Sequence, residues 1–248
     1  MMPNSIEHIV EPKRLLLTWQ SLDEGTTRTR FAVGELTAQP SPAFRYYTER
    51  EFFSLNGKSL EAIRSLGYTR YPAFKPEREL HTDGVLDAFM RRLPPRSRDD
   101  FENYRQHFRL GRGVPISDFA LLAVTEAKLP SDGFALVDPL DDTWQRRELL
   151  VEVVGHRHYA ATCDLDGALG ESVQFSPEPA NPHDPNAVVV TARGQKAGYI
   201  NRFQCKAFHV WMREHRLNAV IERMNGEPGY PRIHLFVTVT AAKGVIAA

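Results

Sequence analysis

The apolar residues in the first half of the chain are spaced as in short strands and amphipathic helices. Residues 30–36 and 43–47 have the composition of strands, and the segment Gln39-Pro40-Ser41-Pro42 between them indicates a hairpin. After Gly84, apolar residues recur every three or four positions, which predicts helices with one buried face. Three such helices are expected at about residues 86–93, 100–108 and 118–129. This half is therefore predicted to be an α+β module with a helical side.

The second half has a different pattern, in which short apolar runs are bounded by Gly, Pro, Asn or Asp. Strands are predicted at residues 149–154, 173–175, 188–190, 197–200, 218–224 and 232–240. One helix is predicted at about residues 203–215, with an inner face made of Ala207, Val210, Trp211 and Met212. Several short strands with a single helix favour a small closed β-barrel, because closure removes exposed strand edges.

The acidic, proline-containing segment 137–142 separates these two patterns and is the predicted domain boundary. The fold class is expected to be α+β, with an α+β module at residues 1–142 and a β-barrel domain at residues 143–248. A chain of 248 residues is long enough for two modest domains of this kind.

Composition and charge narrow the classes of function. The chain is 42% hydrophobic and 25% charged, as in soluble globular proteins. Its 31 basic and 31 acidic residues balance, which argues against charge-driven coating of nucleic acid but not against a small, shaped site. Cys163 and Cys205 form neither a metal motif nor a disulfide framework. With no secretory pattern at the start and no apolar run of membrane length, a cytoplasmic protein without a membrane partner is expected.

The stretch 178–188 carries the most specific chemistry. Its Asn-Pro and Asp-Pro pairs form turns, so a tight polar loop is expected ahead of the strand at 188–190. Two further segments end strands nearby, one around residue 157 and one around residue 200. Rings stack on bases, Arg contacts phosphate, and a carboxylate accepts a hydrogen bond from a sugar hydroxyl. The candidate nucleic-acid-binding residues are Arg157, His158, Tyr159, Asn181, His183, Asp184, Tyr199 and Arg202. A bland alternative stays open, in which the loop is a structural turn and the two tyrosines are core aromatics.

Residues 149–240 resemble the HIRAN domain in the order and spacing of several motifs. These are Val154-Gly155 with Tyr159, Gly170-Glu171-Ser172-Val173, the stretch 178–188, and Gly198-Tyr199-Ile200. The family occurs in DNA-repair ATPases and as a stand-alone unit in bacteria. The resemblance implies a modified small β-barrel that binds the 3′ end of single-stranded DNA. It places Asp184 at the terminal 3′-hydroxyl, His158 and His183 against the bases, and Arg202 near a phosphate, with Asn181 in the same loop.

A metal site is a rival interpretation of the same region. His156, His158, His183 and Asp184 are residue types that bind zinc or manganese, and a metal-dependent hydrolase acting on DNA is the third-ranked function. No fixed-spacing metal motif accompanies them. We therefore expect no cofactor, with a divalent metal as the alternative.

The first half contains several short motifs, which are Val33-Gly34-Glu35-Leu36, Phe44-Arg45-Tyr46, Tyr71-Pro72-Ala73-Phe74, residues 89–98 and Asp118-Phe119-Ala120-Leu121-Leu122. Through these motifs, residues 14–137 resemble the N-terminal subdomain of HipA-type toxin kinases. No phosphate loop, catalytic-loop aspartate or metal-binding Asp-Phe-Gly is present, so no kinase activity is expected. The resemblance implies an interaction module that docks on a separate kinase, and an antitoxin-like protein–protein regulator is the second-ranked function. The first is a non-enzymatic protein that binds single-stranded DNA ends.

Overall fold

The computed structural model describes residues 4–23, 29–141, 144–227 and 230–242. The chain forms two compact units. The N-terminal unit comprises Glu11–Phe101 and Pro115–Asp141, and the C-terminal unit comprises Met1–Val10, Glu102–Val114 and Asp142–Ala248. The chain thus passes between units at several points, one of which lies at the predicted boundary.

The N-terminal unit contains a four-stranded antiparallel sheet of order β3-β2-β1-β4. Its strands are β1 (Arg14–Gln20), β2 (Arg30–Thr37), β3 (Ala43–Tyr46) and β4 (Phe134–Val137). Its helices are α1 (Glu49–Asn56), α2 (Leu60–Arg64), α3 (Val85–Met90) and α5 (Asp118–Thr125), while α4 (Phe101–His107) lies almost wholly in the C-terminal unit. The predicted β2–β3 hairpin is confirmed, as are the three predicted helices, observed as α3, α4 and α5.

Local capping and aromatic packing explain these elements. The Ser117 hydroxyl accepts a bond from the Ala120 amide at 2.9 Å and so starts α5. Thr48 and Glu51 form a capping box at the start of α1. Phe44 and Phe74, with ring centroids 4.7 Å apart, belong to an aromatic core that covers one side of the sheet.

The C-terminal unit contains two three-stranded antiparallel sheets. One has the order β5-β10-β9 and the other the order β6-β7-β8. Their strands are β5 (Arg147–Glu152), β6 (Gln174–Pro177), β7 (Val188–Ala192), β8 (Gln195–Tyr199), β9 (His215–Glu227) and β10 (Tyr230–Ala241). The predicted helix is observed as α6 (Cys205–Glu214), with Phe208 and Trp211 buried. The α+β class is therefore confirmed.

The expected closed barrel is not observed within the described residues. The two sheets meet at two seams, each joined by a single bridge, Val154 to Tyr199 and Ser172 to Val220. Between these bridges the chain makes a 3-10 turn (His156–His158) and an irregular connection to β6. Turns and loops interrupt strand pairing at the seams, so continuous pairing stops at three strands on each side.

None of the helices in the described part of the chain has the length and apolar character needed to cross a bilayer.

Candidate nucleic-acid interface

The loop before β7 is organised by the side chain of Asn181. Its Oδ1 accepts bonds from the amides of His183 at 2.9 Å and Asp184 at 3.1 Å. Its Nδ2 donates to Glu178 Oε2 at 2.6 Å and to the Tyr199 hydroxyl at 3.0 Å. These four bonds use the full hydrogen-bonding capacity of the amide group. Asn181 therefore shapes the loop that presents His183 and Asp184.

Glu178 anchors the same loop to β8. Its Oε1 accepts a bond from Lys196 Nζ at 2.8 Å, and its Oε2 accepts from the Tyr199 hydroxyl at 2.8 Å. The Tyr159 hydroxyl donates to that of Tyr199 at 3.3 Å. Lys196 Nζ lies 4.4 Å from the Tyr199 ring centroid and 5.2 Å from that of Tyr159. The result is one charged, ring-bearing cluster, the tyrosine–lysine cluster, made of Glu178, Lys196, Tyr159 and Tyr199.

A β-bulge in β8 brings Lys196 to the side of Tyr199. Val190 pairs with Gly198 and Thr191 with Lys196, so Ala197 is the extra residue between them. Residues three apart normally point to opposite faces of a strand. The extra residue shifts this alternation, and both side chains reach Glu178.

Electrostatics keep this cluster charged near neutral pH. The bond from Lys196, with that from Asn181, lowers the pKa of Glu178 to about 2. Burial disfavours the Lys196 ammonium, but its bond to Glu178 and its interactions with Tyr199 and Tyr159 together outweigh this effect and raise the lysine pKa. Burial raises the pKa of Tyr199 to about 12, so this hydroxyl stays protonated and available as a donor.

Asp184 and Arg202 lie on the same side of the unit. Asp184 Oδ1 accepts a bond from the Asn186 amide at 2.9 Å, an Asx turn that fixes the carboxylate. Both charged groups act on the buried thiol of Cys205, whose pKa burial raises to about 11, with Asp184 raising it further and Arg202 lowering it. The Arg202 guanidinium lies 5.4 Å from the Phe203 ring centroid. A fixed carboxylate and an arginine therefore share one edge.

The 3-10 turn supplies the other candidate residues. Gly155, in the left-handed region at φ 76°, begins the turn, and Arg157 Nε donates to His158 Nε2 at 3.2 Å. The turn adjoins β8 because the Val154 and Tyr199 backbones exchange bonds of 2.8 and 2.9 Å. Gly198, at φ 146°, permits this approach, since a methyl group there would lie 2.6 Å from the Val154 carbonyl oxygen.

The structure does not assemble the alternative metal set. His156 is only 6% exposed, and its Nδ1 donates to the Ala197 carbonyl at 2.8 Å, so it is a core residue. The regular strand that would have placed His156 and His158 on one face is replaced by the 3-10 turn. In the described ranges no group of three or more His, Cys, Asp or Glu side chains is placed to hold a metal ion.

The structure places the predicted residues in different positions. His183, Asp184 and Arg202 lie at the edge, and His158 is exposed beside Arg157. The half-buried side chains of Asn181, Tyr159 and Tyr199 support the loop that bears Asp184. The two tyrosines are therefore partly buried, as the structural alternative expects, but they are not core residues. Sequence reasoning missed Glu178 and Lys196, which lie beside Asn181 and Tyr199 in the same region. Glu178 is the first residue of the turn-rich stretch 178–188, and this position is the one feature of the sequence that could have identified it as a candidate.

The family model of the HIRAN domain matches residues 147–241. Among solved structures, the chain resembles the HIRAN domain of human HLTF, at 22% identity and a TM-score of 0.33, over 39% of this chain and 77% of that one. It also resembles a protein from Lactobacillus plantarum, at 25% identity and a TM-score of 0.28, over 37% of this chain and 92% of that one. No curated protein matches the chain.

The chain therefore carries a HIRAN domain, a DNA-binding module that is not catalytic on its own. The resemblance of residues 14–137 to HipA-type kinases stays a prediction, as does a kinase partner, because the family match lies in residues 147–241.

Proposed function

We propose that this chain is a non-enzymatic binding protein whose HIRAN domain holds single-stranded DNA at its 3′-hydroxyl end. The observation that carries the proposal is the fixed carboxylate of Asp184 at an edge that also bears Arg202 and His183, with His158 exposed on the 3-10 turn. A carboxylate repels a phosphate but accepts a bond from a hydroxyl, and the terminal 3′-hydroxyl is the hydroxyl that a 5′-phosphorylated DNA strand offers.

Each edge residue then has a distinct role. Asp184 accepts the bond from the 3′-hydroxyl, Arg202 contacts a phosphate, and the exposed imidazoles of His158 and His183 lie against bases. Asn181 and the tyrosine–lysine cluster hold the loop in place, so that little ordering is required when DNA binds.

End recognition is tested by fluorescence anisotropy with 5′-labelled single strands that end in a 3′-hydroxyl or a 3′-phosphate. A terminal phosphate places negative charge against Asp184, and this should cost about 1–3 kcal/mol, or roughly 5- to 150-fold in affinity. Asp184→Asn keeps the oxygen that accepts from Asn186 but removes the charge, so discrimination between the two ends should nearly disappear.

Glu171→Gln is the matched control, because it removes an exposed carboxylate of the same unit that pairs with Arg193. This variant should discriminate as the wild type does. Equal wild-type affinity for the two ends would overturn end recognition.

A further inference from the structure

The exposed side of α6 carries a row of basic side chains that the proposed end site does not use. Lys206, His209 and Arg213 lie within about 60° of one another around the helix axis, as their spacing of three and four residues requires. Lys206 and Arg213 are exposed and His209 is half-buried. Arg202 lies in the turn that precedes the helix. We call Lys206, His209 and Arg213 the basic stripe, and Arg202, which belongs to the end site, lies just before it in the chain.

The stripe is continuous with the loop that bears Asp184. His209 Nε2 donates to the backbone carbonyl of Asn186 at 2.9 Å. The amide of the same residue donates to Asp184 Oδ1 at 2.9 Å. The middle of the stripe is thus two hydrogen bonds away from the carboxylate assigned to the strand end.

An exposed aromatic pair lies at the far end of the helix. His215 caps the C-terminus of α6, and the Trp144 ring stacks on it with centroids 4.3 Å apart and planes 20° apart. Trp144 is 37% exposed, whereas Trp19 and Trp211 are 4% and 3% exposed. Arg146, with 59% of its side chain exposed, follows Trp144 two residues later. A half-covered indole, with an exposed arginine two positions along the chain, offers a surface on which a base can stack.

The charge of this surface favours a polyanion. The acidic side chain on this part of α6 is Glu214, which pairs with Arg213 at 2.7 Å with both groups more than half exposed. Exposed pairs of this kind are worth little and yield readily to a phosphate. The stripe from Lys206 to Arg213 is about 10 Å long, which corresponds to about three nucleotides of stacked strand.

We infer that the basic stripe and the Trp144–His215 pair bind the nucleotides on the 5′ side of the strand end. The inference rests on the proposed function, because the end site fixes the position of the 3′ terminus and therefore the direction in which the strand runs along the surface. The occupant is the phosphate backbone of single-stranded DNA along α6, with one base on Trp144. A strand of about eight nucleotides should cover the end site, the stripe and the aromatic pair, which is within the usual range for small single-strand-binding domains.

The test compares oligothymidylates of about three and about eight nucleotides with free 3′-hydroxyls, followed by anisotropy and by tryptophan fluorescence. The longer strand should bind more tightly and quench Trp144, whereas the shorter strand should leave the fluorescence unchanged. Trp144→Phe should abolish the quenching and leave affinity for the shorter strand unaltered.

Lys206→Gln with Arg213→Gln removes two phosphate contacts. For the longer strand, the slope of the logarithm of the binding constant against the logarithm of salt concentration should become shallower by about 1.4. The ratio of wild-type to variant affinity should therefore fall about sevenfold between 50 and 200 mM salt. The shorter strand should bind both proteins equally. Arg64→Gln with Arg78→Gln is the matched control, since it removes two exposed charges from the N-terminal unit and should behave as wild type.

The outcomes separate this inference from the proposed function. The proposed role of the basic stripe is wrong if end discrimination holds but the wild type binds both strand lengths with the same affinity. It is also wrong if the double variant keeps the full dependence of affinity on strand length. If the 3′-phosphate makes no difference at any length while the quenching and the salt effect remain, end recognition is wrong and the stripe stands.

Discussion

Replacing Glu178 with Gln should destabilise the C-terminal unit. The loss measures how much the ion pair with Lys196 contributes to the free energy of unfolding. The variant keeps an oxygen that can accept from Asn181 or Tyr199, but it leaves the Lys196 ammonium without a counter-charge. The Glu178 pKa of about 2, against 4.5, corresponds to about 3 kcal/mol at most. Because 31% of the Glu178 side chain is exposed, solvent screens the pair, and we expect a loss of about 1–2 kcal/mol.

The loss should depend on pH in a defined direction. The folded-state pKa of Glu178 is lower than its unfolded value, so the carboxylate stabilises the folded state fully above about pH 5. That stabilisation disappears progressively as the pH falls towards 2. The gap between wild type and variant should therefore be complete at pH 7 and clearly smaller at pH 3.

Urea unfolding followed by tryptophan fluorescence measures this gap. A Trp19→Phe background leaves Trp144 and Trp211, which both belong to the C-terminal unit. At the usual sensitivity to urea, the midpoint should shift by about 0.5–1 M at pH 7. Glu171→Gln is the control, since its exposed pair with Arg193 should contribute little. Equal midpoints at pH 7, or a gap that is undiminished at pH 3, would refute the reasoning.

Two further substitutions test the support of the site. Gly198→Ala places a methyl group 2.6 Å from the Val154 carbonyl oxygen, at a residue with φ 146°. Urea unfolding should show a loss of about 2–4 kcal/mol in the free energy of unfolding. Gly194→Ala is the control, because its methyl group would lie in open space and the loss should be about 1 kcal/mol. Asn181→Ala removes the acceptor for the His183 and Asp184 amides, so their hydrogen exchange should quicken and affinity for single strands should fall about tenfold. Asn186→Ala is its control, because the bonds of that residue to Asp184 and His209 come from its backbone. Normal loop exchange in the Asn181 variant would contradict the support role.

Local chemistry accounts for the parts of the fold that the sequence predicts well. The β2–β3 hairpin and the starts of α3, α4 and α5 depend on turn residues, capping groups and helical spacing within a few positions. The central strand β1 has five consecutive buried residues, so it lacks the alternation that identifies a strand, and it is not predicted.

In the candidate site too, local structure is predicted from the sequence and contacts between distant residues are not. The turn-forming residues predict the loop that bears Asp184, because an Asx turn is a local structure. The bond between Glu178 and Lys196 depends instead on the register of β8 and on the bulge at Ala197, neither of which has a local signature here. The burial of His156 likewise follows from the 3-10 turn and from β8 packing beside it.

The discontinuous C-terminal unit has a consequence for biosynthesis. Asn4 Nδ2 donates to Glu222 Oε2 at 2.6 Å, and Arg109 Nε donates to Glu222 Oε1 at 2.5 Å. Asn4 and Glu222 are 218 positions apart, so at the usual speed of a ribosome their bond forms only about 10–40 s after Asn4 is made. All of the N-terminal unit is synthesised within that interval, and it can fold first. Until β9 is synthesised, Ile6 and Leu110 can bridge each other but lack most of their unit. These two residues, both buried in the finished protein, are then accessible to chaperones and proteases.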